Sequence, residues 1–313
     1  MKRVVITPVI GSPMLSHTSI CRLARETSQS TVYGAEASER ILRYGAPVGC
    51  RIEHHPRLAR CMDRLQTLVD RHSSTSSLAT GTVVRADELT GSSGRFDRSW
   101  HAPSGGLYLA LVWADTFLPE FSRLLPFATG IACCETISSC GVDARIKWVN
   151  DVHVQGDKMA GILSQMLIGP DDERFHLIGI GINVNNTKFP QELQARATGL
   201  RLLTGQHFDL DEICRLLLAR LQWNFGLLCY AEEQMLAETH TEGSQGGNPL
   251  LQRFRELSDT VGRTVQYGYD VQKKPLYRAG VQGIDDQGGL VMRLEDGTLL
   301  TEYSGEILYL SGE

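Results

Sequence analysis

The chain has 313 residues, room for about two domains at the usual ~150 residues each. A composition that is 42% hydrophobic and 21% charged excludes a mostly disordered chain, and no apolar run reaches the ~18 residues that mark a membrane span. Its 31 basic and 36 acidic residues leave a net charge of −5, the opposite of the balance that a surface built for nucleic-acid phosphates carries.

Pro8 and Pro13 interrupt the opening MKRVVITPVIGSPML, which shows no signal-peptide core. The eight cysteines include no CxxC pair and no zinc spacing, so they are expected to be reduced packing residues of a cytoplasmic protein. Residues 1–50 are the least legible. SICRLARETSQSTVYGAEASERIL has helix-like spacing but is too short in its turn for a helix-turn-helix, and is expected as an extension packed on the main domain. Leu58, Met62, Leu65 and Val69 repeat with helical period, which predicts a helix over 55–69. TGTVVRADE and GLYLALVW read as strands, with a Gly/Ser-rich loop over 90–106 between them. Residues 122–141 read as an apolar helix with Gly141 at a left-handed cap. RIKWVNDVHVQG, KMAGILSQMLI and FHLIGIGINVN read as three strands, with a hairpin turn at Gln155-Gly156-Asp157. Strands that follow one another without helical crossovers predict antiparallel pairing and an α+β fold. A long helix begins after Asp209, with Asp209 or Asp211 as cap; a polar linker covers 238–250. A short helix and five short strands then predict a small barrel over 251–313.

Three segments carry chemistry. ELTGSSGRFDRSW, residues 88–100, is a flexible loop with Arg95 and Arg98, and suits an anionic ligand, though solvated surface loops share that composition. In RIKWVNDVHVQGDKMAGIL, Lys147 lies in an apolar run, where a lysine is costly unless it is paired or faces a ligand. Strand alternation puts Lys147 with Val149 on one face and Trp148 with Asn150 on the other, and an edge lysine facing water is the plain alternative. In GIGINVN, Gly179 and Gly181 share one strand face and permit close approach by a ligand or by a packed helix, and Asn183 continues that face.

The order of these pieces is a Gly-Arg loop, KWVND, KMAGIL, GIGINVN and a terminal stretch ending Ser304-Gly305-Glu306-Ile307. It closely resembles the biotin–protein ligases of the biotin/lipoate ligase superfamily over roughly residues 55–313. The resemblance implies a class II synthetase-like mixed or antiparallel sheet with flanking helices over 51–237, and a Src-homology-3-like C-terminal barrel. It implies ATP-dependent activation of biotin to biotinyl-5′-AMP, then transfer to a lysine of a biotin carboxyl carrier domain of acetyl-CoA carboxylase, with Mg²⁺ as cofactor. Lys147 would bridge the biotin carboxylate and the α-phosphate, and Arg95 would lie on the adenylate. Leu89, Thr90, Ser93, Gly94 and Trp100 would line the nucleotide under the loop, and Asn150 and Asp151 would add polar groups. Gly161, Gly179 and Gly181 would permit close approach, and Asn183 would serve the nucleotide and Mg²⁺ side. The resemblance allows a homodimer through the central sheet and implies no membrane or nucleic-acid partner.

Departures fall on the biotin side. The family's loop glutamine is Leu89, one loop glycine is Ser92 and the first loop arginine is Ser93; Val149 replaces a proline. The Ser-Thr pair that touches the ureido ring is best matched by Arg60-Cys61-Met62-Asp63, with Ser74-Thr75 as a rival too close to Leu89. The expected biotin pocket is therefore Arg60, Cys61 and Met62, short of hydrogen-bonding groups. A working biotin ligase, a ligase for another carboxylic acid, and a non-catalytic ligand-binding or regulatory homologue remain the three readings.

Overall fold

The structure, a computed structural model, describes residues 15–72, 77–194, 196–238 and 247–310. Ser74-Thr75, most of the expected linker and the first residues of the N-terminus lie outside them. Three helices open the described chain: α1 (His17–Glu26), α2 (Ser30–Tyr33) and α3 (Ala35–Gly45). Strand β1 (Ile52–Leu58) leads to α4 (Cys61–Asp70), β2 (Val83–Leu89) and β3 (Leu107–Ala114). Helices α5 (Pro119–Ser122) and α6 (Leu125–Ser138) precede β4 (Ala144–Lys147), β5 (Asp151–Val154), β6 (Asp157–Ile168) and β7 (Arg174–Ile182). The short α7 (Leu200–Thr204), the 29-residue α8 (Leu210–Glu238) and α9 (Pro249–Leu257) follow. Strands β8 (Thr264–Gly268), β9 (Tyr277–Ile284), β10 (Leu290–Arg293), β11 (Leu299–Glu302) and β12 (Glu306–Tyr309) end the chain.

The first seven strands make one sheet in the order β1-β2-β3-β7-β6-β5-β4, antiparallel except for the parallel β1–β2 pair. β3 is central and reads LYLALVWA because both its faces are covered. Leu107, Leu109 and Leu111 join the large core under α6 and α8, while Ala110 and Val112 join a smaller core under α4 with Leu65, Val69, Val84 and Leu177. α6 is apolar on all sides because it lies between the sheet and helices α8 and α9. The last five strands form an antiparallel sheet in the order β11-β10-β9-β8-β12, a strand order that fits the expected small barrel.

Three expectations change. The helix predicted over 55–69 begins only at Cys61, because residues 52–58 pair with β2 as an edge strand, where Pro56 is tolerated. RIKWVNDVHV is two strands, since the chain turns at 148–150 and β4 folds back on β5; the alternation assumed through Lys147 and Asn150 does not apply. The helix predicted over 122–141 is the shorter α6, Leu125–Ser138, with α5 a separate turn that ends at Ser122, and Gly141 takes a left-handed φ of 89°. The other turns hold. Gln155 (φ 55°) and Gly156 (φ 92°) close the β5–β6 hairpin, and the Asp209 carboxylate accepts the Asp211 amide at 2.8 Å as cap of α8. The N-terminal helices pack on α8, where glycines permit close approach: a Cβ on Gly45 would sit 1.7 Å from the Gln222 carbonyl oxygen, and one on Gly226 1.9 Å from that of Ile41.

Candidate active site

Gly179 and Gly181 on β7 and Gly161 on β6 form a strip without side chains on the sheet face that carries α4, with Gly161 directly opposite Gly181. Two side chains approach the sheet because of it. A Cβ on Gly181 would lie 2.7 Å from Trp100 Nε1, and one on Gly179 2.7 Å from Met62 Sδ. A Cβ on Gly161 would meet the Trp100 ring at 3.0 Å and Lys158 Cε at 3.2 Å. Trp100 Nε1 is enclosed without a hydrogen-bond partner.

The loop that brings Trp100 to the strip is a small closed ring of hydrogen bonds. Leu89 N–H donates to Ala102 O (3.0 Å), Thr90 N–H to Leu58 O (3.0 Å) and Gly91 N–H to Ala59 O (3.1 Å). Ser92 and Trp100 are tied twice, Ser93 bridges Ser99, and Gly94 N–H donates to Arg98 O at 2.7 Å. Beside Trp100 a cleft of about 590 Å³ opens between residues 88–93, residues 99–103 and Pro190, Glu192 and Leu193; Leu89, Thr90 and Ser93 are among its lining.

Charge gathers on the other side of the indole. Lys158 Nζ lies 5.4 Å from the centre of a Trp100 ring and 2.7 Å from Asp151 Oδ1. Asp151 stays below the ordinary carboxylate range: burial pushes it up, and Lys158 foremost, then Lys147 and Arg95, outweigh this. Lys147 lies at the end of β4 with Nζ 5.3 Å over the Tyr309 ring, facing the C-terminal strands. Burial chiefly, with help from Lys158, draws it below the usual lysine value; Asp151, Glu306 and Asp259 pull the other way. Arg95 reaches the Gly305 carbonyl (2.8 Å) and Glu306 (3.0 Å). Lys147, Lys158, Arg95, Asp151 and Glu306 therefore form one electrostatic neighbourhood.

Other expected residues do different work. The Asn150 amide donates to Ile162 O at 2.7 Å and staples the β4–β5 turn to β6. Asn183 is buried, its backbone N–H bonded to Met159 O, and its Oδ1 has no partner. Cys61 is packed in the core under α4, its Sγ 3.8 Å from Tyr108 O, and burial pushes its thiol up to about 12; it does not reach the glycine strip, whereas Met62 does. Arg60 turns to Asp63 (3.5 Å). The cation over the strip, Lys158, was missed in favour of Lys147. Lys158 opens KMAGIL three places before Gly161, and the misplaced strand alternation at 148–150 hid that a hairpin turns it back over the glycines.

Residues 58–185 match the sequence model of the biotin/lipoate A/B protein ligase family. The bifunctional ligase/repressor BirA of Bacillus spizizenii is 29% identical over 231 residues, covering 72% of this chain and 66% of that protein. The biotin–[acetyl-CoA-carboxylase] ligase of Mycobacterium tuberculosis is 27% identical over 241 residues, covering 74% and 79%. The likeness to the biotin/lipoate protein ligases thus has its core in residues 58–185 and extends, at 27–29% identity, over about three quarters of the chain. It spans about two thirds of the length of the BirA relatives from Bacillus. The biotin protein ligase from Aquifex aeolicus, solved in complex with biotin and ATP, superposes with a TM-score of 0.66 over 84% of this chain and 99% of that one at 23% identity, so the fold is that of this ligase. Within the family match lie the loop, both lysines, and all three glycines of the strip.

Proposed function

We propose that this chain is an AMP-forming biotin–protein ligase: it joins the biotin carboxylate to ATP, releases pyrophosphate, and passes the biotinyl group to a lysine on a carrier domain of a biotin-dependent carboxylase. The observation that carries the reading is Lys158 lying over a side-chain-free strip of sheet, with Lys147 and Arg95 adding to the positive potential on its partner Asp151, inside the family match. A carboxylate and a triphosphate repel each other, and a positioned set of cations at a surface the ligand can approach closely is what their union needs. In this reading Lys158, over Gly161, bridges the carboxylate and the α-phosphate, the place that the sequence resemblance gave to Lys147. Asp151, 2.7 Å away, aims Lys158. Lys147 adds positive potential from the C-terminal side, and Arg95 exchanges Glu306 for a phosphate. Trp100 and its loop cover the site and exclude water from the mixed anhydride.

The buried, unpartnered Asn183 Oδ1 fits one position of a hard, oxygen-seeking cation. Among the described residues no cluster of three acidic, histidine or cysteine side chains could hold a metal alone, so Mg²⁺ would arrive on the phosphates of ATP and neutralise them there. Beyond Ile162, β6 runs to Ile168 paired with β7 alone, with Met166 and Ile168 exposed, and this free edge supports docking of the carrier domain, or of a second copy, by strand addition. No helix among the described residues is long and apolar enough to cross a membrane, and the eight unpaired cysteines accord with work in the cytoplasm.

One observation favours a second acid. Leu89, Cys61 and Met62 stand where groups that hydrogen-bond biotin's ureido ring were expected, and Met62 already fills the space over Gly179. Calorimetric titration with biotin, followed by ATP-dependent labelling of a carrier domain, tests the main reading. A dissociation constant of about 1 μM or tighter, ~−8 kcal/mol, with labelling is expected. Labelling with lipoate or octanoate and none with biotin would select the second reading; ligand binding without labelling by any acid would leave a binding protein.

A further inference from the structure

Glu306 opens β12 and Asp270 lies in the turn after β8, and yet both hold the tip of the active-site loop. Arg98 forks onto both oxygens of Glu306 (3.0 and 2.6 Å) and reaches Asp270 at 2.5 Å. Arg95 shares Glu306 at 3.0 Å and also takes the Gly305 carbonyl. Both guanidinium groups lie over the ring of Phe96, Arg95 at 5.9 Å and Arg98 at 5.3 Å. Phe96 has φ 57°, a left-handed conformation that costs a bulky residue free energy and persists only where its surroundings enforce it. The tip is thus two cations, two carboxylates and a strained aromatic between them.

The two arginines are not equivalent. Arg98 has three charged bonds and sits in a planar fork that suits a permanent attachment. Arg95 has one carboxylate contact, and that carboxylate is already satisfied by Arg98. Arg95 also adds to the positive potential on Asp151, the partner of Lys158. We infer that Arg98 is a positioning residue: with Asp270 and Glu306 it fastens the loop to the C-terminal domain, so that Arg95 can leave Glu306 for a phosphate while Trp100 and the loop keep their register over the cleft. The nucleotide role of Arg95 rests on the function proposed above; the fastening itself does not.

The test uses the full chain with Arg98→Gln, Asp270→Asn and the double variant. Amide hydrogen exchange over residues 90–100 is read without any ligand, and the ATP KM of biotin-dependent pyrophosphate exchange is read beside it. Exchange of the Gly94 and Trp100 amides is expected to quicken about tenfold in Arg98→Gln and less in Asp270→Asn, with the double variant no worse than Arg98→Gln. The ATP KM should rise in the same order, severalfold to about tenfold. Asp270→Asn leaves Arg95 and Glu306 in place, so it remains informative should Arg98→Gln fold poorly by thermal unfolding. Loop protection within twofold of wild type in both single variants, or additive effects in the double, overturns the inference. Faster loop exchange with no pyrophosphate exchange by the wild-type protein would keep the fastening and reject the proposed function.

Discussion

Lys158 and Lys147 differ in a single-residue test. Lys158 lies over Gly161 and Trp100, so Lys158→Ala should lower kcat/KM for pyrophosphate exchange by about 10²–10³, the size expected when a preorganised charge on the reacting group is lost. Lys147 lies over Tyr309 and contributes only potential, so Lys147→Ala should cost about tenfold or less. Equal losses, or a larger loss at Lys147, would return the bridging role to Lys147. At Leu89, which lines the cleft where the family carries a glutamine, Leu89→Gln should lower the biotin KM severalfold without changing the ATP KM. The site was legible to the extent that motifs carried it. The glycines in GIGIN and AGIL are where the Trp100 and Met62 side chains approach the sheet, and Arg95 contacts Glu306. What was illegible depends on tertiary partners: the facing of Lys147, the core position of Cys61 and the hold of Glu306 on the loop arise from elements far apart in sequence.

Helix packing rests on features that residue patterns do not announce. Glu135 of α6 is buried and takes Arg220 of α8 (3.0 Å) and Arg253 of α9 (2.9 Å). Removing the shared carboxylate takes one ionic contact from each arginine while Arg253 keeps Glu256 and Arg220 keeps Ser139, so Glu135→Ala should cost about 1–3 kcal/mol in urea unfolding, whereas a conservative Glu135→Gln should cost less. Gly226 of α8 touches the backbone of α3, and Gly226→Ala should force the N-terminal helices away from α8 at a cost of about 3 kcal/mol or more. A melting temperature unchanged by Gly226→Ala would show that this packing contributes nothing. The strong elements were readable because burial on both faces gave β3 and α6 continuous apolar runs. β1 was not readable, because an edge strand with IEHHPRL needs only one neighbour and little apolar surface.

Two titrating groups, the buried His176 and the half-buried Asp259, contribute to how the whole molecule responds to acid. His176 sits between Ser122 (2.9 Å) and Asp115 (3.5 Å), and burial chiefly holds it below its ordinary value of 6.5 against the pull of Asp115. The unfolded chain therefore takes up a proton near pH 6.5 that the folded chain refuses, and stability should fall as pH drops through that window. The fall should be shallower in His176→Gln. Asp259 joins α9 and the C-terminal strands to β5: burial raises it, but bonds from His153 (3.0 Å) and Tyr309 (2.8 Å) prevail and hold it at about 2. Its contribution is present above the ordinary carboxylate range and is lost as pH falls towards 2.

The central claim is that Lys158, held over the glycine strip, drives activation of biotin. The most direct measurement is exchange of labelled pyrophosphate into ATP by the full chain, with biotin supplied and withheld, in wild type and Lys158→Ala. Biotin-dependent exchange that falls about 10²-fold or more in the variant is the predicted result. Exchange absent with biotin but present with another carboxylic acid, or biotin-dependent exchange unchanged by Lys158→Ala, would contradict it.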